Sequence, residues 1–322
     1  MFGHRSDGAK AKLNNGLYLA MPHIMNHRYD SMNMTEFDID LEILDEFIKE
    51  QRESTGVIYS YLDIINSAII RTIYLRPELN RFVVNRRIYD RHEIQVSMAV
   101  QKSLKQGLQS NETTIKIGFE GYENILEVKQ AFEAQFREAK GSTNDTDKLT
   151  TTLAKIPYGI YYLVIGMLKL LDKLGILPKA VMDAEPFHTT YFITDLRSVK
   201  GPSIYHHVYE FGTTGLFFST GVEELKPYKT IDGDVKFKRV MPMKFVSDER
   251  FCDGLYFVTS LRMLQKILKN PKVLLLEIEP RERTKAQQKY YDKKAKAKAK
   301  KEAKALKQAK KEEKKNKKSN KE

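Results

Sequence analysis

The sequence predicts one α+β domain followed by a basic tail. Apolar residues repeat at helical spacing in some segments and at alternate positions in others, and no repeating unit orders the two kinds. Composition then changes abruptly, which divides the chain into a polar start (1–19), a folded domain (20–280) and a Lys/Ala/Glu-rich tail (281–322).

Each element has its own signature. Thr35 to Ile48 (TEFDIDLEILDEFI) alternates apolar and acidic residues and then shifts to helical spacing, which predicts a strand running into a short helix. Tyr61 to Leu75 places Leu62, Ile65, Ile69 and Ile73 on one helical face. Arg76-Pro77 closes that helix, because the residue before proline is driven out of the helical region. Arg81 to Ile88 reads as a hairpin with Asn85 near its turn, and Ile94, Val96, Met98 and Val100 alternate as in a strand. Ile115, Ile117 and Phe119 repeat that alternation before a helix near Asn124 to Lys140. Gly141 to Asp147 has loop composition, and Ile160 to Leu174 reads as helix. Strands follow at Thr189 to Asp195, Gly215 to Gly221 and Arg239 to Val246. The last core helix opens at Asp253, carries the stripe Leu255, Val258, Leu261, Leu264 and Leu268, and stops at Asn270-Pro271.

The net charge of +13 belongs to the tail. Residues 281–322 hold 19 Lys or Arg against 6 Asp or Glu, leaving 36 of each sign in the rest, so the body has no nucleic-acid signature. The tail cannot bury a core, although its alanines permit a helix; a solvated, disordered or helical appendage is expected, with a non-specific anionic partner for 281–322 as the alternative. Cys252 is the only cysteine, which excludes an internal disulfide and a thiolate metal site, and a reducing, cytoplasmic setting fits. The start has no apolar core of signal-peptide type, and the longest uncharged apolar run, Ile156 to Leu168, falls short of the roughly 20 residues that span a bilayer. Ile156 to Leu177, with Tyr158, Tyr161 and Tyr162, therefore reads as core or subunit interface.

Pro77-Glu78-Leu79-Asn80 after an apolar helix, then a hairpin and an alternating strand, and Cys252-Asp253-Gly254 opening the final helix, resemble the chloramphenicol acetyltransferase superfamily. The likeness runs over roughly residues 20 to 275 and is greatest to the catalytic domains of dihydrolipoyl acyltransferases from 2-oxoacid dehydrogenase complexes. It implies a mixed sheet covered by helices, coenzyme A or acyl-CoA as substrate, no metal, and a homotrimer with its site between subunits. No lipoyl attachment site is seen, so the acyl acceptor, a thiol or hydroxyl, is expected from outside.

In that superfamily the last helix follows a His, three residues and Asp-Gly, with Asp-His-Arg opening the motif in the dihydrolipoyl branch. Here the stretch is Asp248-Glu249-Arg250-Phe251-Cys252-Asp253-Gly254, so Glu249 stands where the family keeps its catalytic histidine, the general base. A free carboxylate is the weaker base by about 3 kcal/mol of proton affinity, a gap that burial narrows. The resemblance also implies that Asp253 pairs with Arg28 to hold the loop, while the simple reading of Asp253 is a helix cap. The family's oxyanion hydroxyl falls on Thr194 by the dihydrolipoyl pattern, or on Asp183 by the chloramphenicol pattern, where an anion would repel the oxyanion. His206 and His207 are alternative bases, with a plain surface or interface role as the simpler reading. Cys252 reads as a small hydrophobe rather than a nucleophile. Three functions stay open: an acyltransferase with an atypical base, a catalytically degenerate trimeric scaffold or acyl-CoA-binding pseudoenzyme, and a trimer that multiplies a weak polycationic contact of the tail by avidity.

Overall fold

The computed structural model describes residues 5–13, 15–101, 112–141 and 145–319. It divides into two units, Met1–Glu279 and Pro280–Glu322. The first opens with β1 (Gly8–Lys10), α1 (Gly16–Ile24), β2 (Met32–Asp40) and α2 (Leu41–Thr55). Helix α3 (Tyr61–Leu75) precedes the hairpin β3 (Arg81–Val84) and β4 (Arg87–Arg91), then β5 (Ile94–Gln101) and β6 (Glu112–Phe119). Four helices follow: α4 (Ile125–Gly141), α5 (Asp145–Ala154), α6 (Tyr158–Leu174) and α7 (Lys179–Ala184). The unit ends with β7 (Tyr191–Asp195), β8 (Leu216–Thr220), β9 (Glu224–Lys229), β10 (Val235–Asp248) and α8 (Gly254–Lys269).

The large sheet has the order β2-β10-β8-β7-β5-β6, with β9 paired to the outer part of β10. It is mixed: β7 runs parallel to β5 and β8, and the remaining pairs are antiparallel. Alternation assigns its two faces. Val96, Met98, Tyr191, Ile193, Phe218, Met243 and Phe245 join the main core beneath α2, α3, α4 and α8. Phe192, Phe217 and Val246 point the other way and pack with Val208 and Tyr209 from the irregular segment between β7 and β8. A second sheet, β1-β4-β3, lies apart from the first.

Helix α3 is the central support. Ser60 and Asp63 form a reciprocal capping box at its start, and Pro77 ends it. Residues 63–73 are all buried, so the helix is enclosed rather than amphipathic. Its one interior amide, Asn66, is satisfied by the Tyr191 hydroxyl, which donates at 2.9 Å. The hairpin turn places Asn85 and Arg86 at φ 48° and 58°, the two left-handed residues that a two-residue turn between twisted strands requires.

Three expectations need correction. Within 141–147, residues 142–144 lie outside the described residues, and Asp145–Asp147 open helix α5 instead of continuing a loop. Leu255 and Val258 face outward on α8, where Phe257, Ser260, Leu264, Ile267 and Leu268 form the buried face. The apolar residues outnumber those the inward face can hold, so spacing alone misplaced the first turn. Of the core-or-interface expectation for 156–177 the core half fails for α6, because Tyr158, Tyr162, Leu163, Met167 and Leu170 are exposed in the single chain.

A buried ionic cluster ties the N-terminal segment to the body. Arg5 pairs with Asp7 and Asp172 at 2.8 Å, and His188 bridges Asp172 (2.9 Å) and Glu185 (2.5 Å) through its two ring nitrogens. Burial opposes charge on this imidazole, yet the two carboxylates outweigh it and raise its pKa. A group whose folded pKa lies above its unfolded value, about 6.5 for histidine, stabilises fully below that value and loses its contribution as pH rises through the folded pKa. Urea denaturation of the native chain is therefore expected to show a midpoint that falls from weakly acidic to alkaline pH, a decline that His188→Gln removes. An equal decline in both would refute the assignment.

The second unit is described by itself. Its helix α9 (Lys285–Ser319) starts at Thr284, which forms a reciprocal box with Gln287. At about 1.5 Å per residue it is roughly 50 Å long.

Candidate active site

Strand β10 ends at Asp248, and a single 3-10 turn, Glu249–Phe251, joins it to α8. This junction is built on buried charge. The Asp248 carboxylate accepts from Arg250 at 2.7 and 2.9 Å, from the Arg250 amide at 3.1 Å and from the Ser31 hydroxyl at 3.1 Å. Arg28 lies 3.9 Å away, and all three charged groups are buried. Arg28 itself donates to the carbonyls of Val83, Tyr209, Glu210 and Gly212, clamping the segment before β8 onto the hairpin. Below the turn, the Phe251 ring packs on Gly215, where an added Cβ would stand 2.6 Å from a ring carbon.

The resemblance had assigned Arg28 to Asp253, and the structure corrects this: Arg28 serves Asp248. Asp253 is largely exposed and caps α8 by accepting from the Tyr256 amide at 2.7 Å. Its other oxygen accepts from the Tyr18 hydroxyl at 2.8 Å, so α1 also holds the loop. These hydrogen bonds keep the Asp253 pKa lowered, the Tyr256 amide most strongly. Burial pushes the Cys252 thiol far up, with Glu78 and Asp253 adding to the effect, so the thiolate that a nucleophile needs is suppressed.

Glu249 differs from its neighbours. It is half-buried, and among the described residues its carboxylate has no hydrogen-bond or ion-pair partner, whereas Asp248, Arg250 and Asp253 are all engaged.

Thr194 sits on β7 opposite Ser219, which in turn opposes Lys244 on β10. The strand runs on from Lys244 for four residues to Asp248, roughly 13 Å at about 3.3 Å per residue, and Glu249 lies beyond its end, so one chain does not bring the two together. Asp183 is exposed on α7 and paired with Lys179 at 2.8 Å. His206 is half-buried and stacks on Phe217 with centroids 4.1 Å apart, on the same sheet face as Phe192 and Val246. Burial lowers its pKa, so the neutral imidazole, a proton acceptor, is favoured. His207 is exposed beside it, with Nδ1 3.3 Å from the Val208 carbonyl. Both histidines are on a different segment from the Glu249 turn. Among the described residues no group of three or more His, Cys, Asp or Glu is placed to hold a metal.

Sequence reading did not find the Arg28–Asp248–Arg250 cluster. The Asp-Glu-Arg run did carry a signal: opposite charges two residues apart bracket Glu249 and, across a tight turn, meet each other.

No protein-family model matches the chain, and no curated protein matches its sequence. Solved structures do. The chain is similar to the cubic core of the pyruvate dehydrogenase multienzyme complex, with TM-score 0.50 and 13% identity over 81% of this chain and 89% of that one. A probable dihydrolipoamide acetyltransferase from Listeria monocytogenes gives TM-score 0.49 and 15% identity, covering 86% and 99% of the two chains. A chloramphenicol acetyltransferase gives 0.47 and 11%, covering 81% and 99%. A mixed sheet in the observed order, helices over one face, and the likeness to the pyruvate dehydrogenase cubic core give the conclusion that this chain has the α+β fold of that core.

Proposed function

We propose that the protein transfers an acyl group between coenzyme A and a thiol or hydroxyl acceptor, with Glu249 as general base. The observation that carries this reading is the Glu249 carboxylate, without a hydrogen-bond or ion-pair partner among the described residues, on a turn whose other charged groups are paired. In the proposed step, Glu249 takes the acceptor's S–H or O–H proton while the acceptor's sulfur or oxygen attacks the thioester carbonyl carbon. Collapse of the tetrahedral intermediate breaks the carbon–sulfur bond, and coenzyme A leaves as the thiol after recovering the proton. The Thr194 hydroxyl is the donor to the oxyanion.

Because Thr194 and Glu249 are far apart within one chain, the reading requires that they come from two copies. The rim of the loop supports this. Leu17, Leu19 and Ile24 on α1 and Leu255 and Val258 on α8 are exposed beside it, an apolar surface of the kind that a second subunit covers. A homotrimer is the expected assembly, checked by the mass from light scattering; a monomer would leave the site incomplete.

The test of function is release of free coenzyme A from acetyl-CoA by the full chain, with dihydrolipoamide and a panel of thiol and alcohol acceptors. Acceptor-dependent release above the enzyme-free rate is expected. No release with any acceptor, from a correctly assembled protein, would replace this reading with an inactive scaffold.

A further inference from the structure

Helix α6 presents a face that its own chain leaves uncovered. Its C-terminal half is anchored: Asp172 is buried between Arg5 and His188, and Gly175, at φ 74°, ends the helix. Towards its start the apolar side chains stand in solvent, with Tyr158 95%, Tyr162 83% and Leu163 66% exposed, and Met167 and Leu170 continue the same side. A contiguous apolar surface of this kind marks a contact site.

The charges identify the partner. Between residues 153 and 182 the only acid is Asp172, which is consumed by its buried pairs, whereas Lys155, Lys169, Lys173 and Lys179 are all at the exposed surface. An apolar stripe bordered by Lys155, Lys169 and Lys173, with tyrosines at one end and with Lys179 beyond it paired to Asp183, has the composition that settles at the headgroup level of an anionic bilayer. Seventeen residues of helix measure about 26 Å, and no helix among the described residues is long and apolar enough to cross a membrane, so the fitting geometry lies in the surface. A single apolar element binds bilayers weakly and needs a second signal. The chain carries one in its tail, whose 19 basic residues against 6 acidic are a polybasic segment of the kind that anionic lipid attracts.

We propose that α6 is a docking face for an anionic lipid surface, with the basic tail as the electrostatic second contact. This does not rest on the acyl-transfer reading, and it gives the otherwise unexplained apolar helix and tail one purpose.

Flotation of the full chain with vesicles tests it. Binding is expected to an equimolar mixture of phosphatidylcholine and phosphatidylglycerol, with weak binding to phosphatidylcholine alone. Leu163→Glu combined with Met167→Glu is expected to lower partitioning by about tenfold or more, with circular dichroism and mass in solution unchanged. Since the chain has no tryptophan, Tyr162→Trp places a single reporter on the face, and its emission is expected to shift to the blue on the mixed vesicles. Failure of the full chain to float, binding that the double substitution leaves unaltered, or emission that does not move would overturn the proposal. So would a loss of oligomeric mass in the double variant, which would make the face an interface between copies.

Discussion

Glu249→Gln is expected to abolish most turnover while leaving the fold and coenzyme A binding intact. The substitution keeps side-chain size and removes only the ability to take a proton. Among the described residues the Glu249 side chain makes no hydrogen bond or ion pair, and its backbone carbonyl, which accepts from the Cys252 amide, is untouched by the substitution. Removal of a general base lowers kcat by roughly 10² to 10⁴, and that loss is expected here without a matching rise in KM for the acyl-CoA. Glu249→His offers the reverse experiment: an imidazole titrates nearer neutrality than a carboxylate, so a protein that uses this position for proton transfer should retain activity with a shifted pH profile. Full activity in Glu249→Gln would remove the base from this turn and direct attention to His206, whose neutral form burial favours.

The second large effect concerns stability. Asp248→Ala leaves the buried guanidiniums of Arg28 and Arg250 without their shared carboxylate. Burial already lowers the Arg28 pKa, and Asp248 is the strongest of the charges that oppose this. Breaking a buried pair by deleting one partner costs about 3–5 kcal/mol, because it strands the other charge in a poorly solvating interior. Chemical denaturation of Asp248→Ala should register a loss of that size, and Asp248→Asn, which preserves the shape and some acceptors, a smaller one. A loss below about 1 kcal/mol, the range of exposed ion pairs, would show that the cluster is more hydrated than its burial indicates.

The fold was legible where local chemistry decides structure. Pro77 stops α3, Asn85 supplies a left-handed turn position, and Asp253 caps α8, each through interactions within a few residues. Legibility failed where distant residues decide. Gly8–Lys10 has no strand signature of its own and becomes β1 by pairing with Tyr89, Asp90 and Arg91 of β4, far away in the chain. Arg28 finds Asp248 rather than Asp253, a choice that the sequence cannot express because both aspartates flank the same motif. Leu255 and Val258 repeat at the right spacing for a core but rim the candidate site instead. The position of Glu249 was readable from the motif, whereas the lack of a side-chain partner among the described residues emerges only once its neighbours are seen to pair among themselves.

The central claim is that this fold retains a site for acyl-CoA, and calorimetric titration of acetyl-CoA and coenzyme A into the full chain tests it most directly. The account predicts saturable binding with a Kd within about 1 μM to 1 mM, unchanged by Glu249→Gln. Absence of binding for both ligands, in a folded and correctly assembled protein, would contradict it.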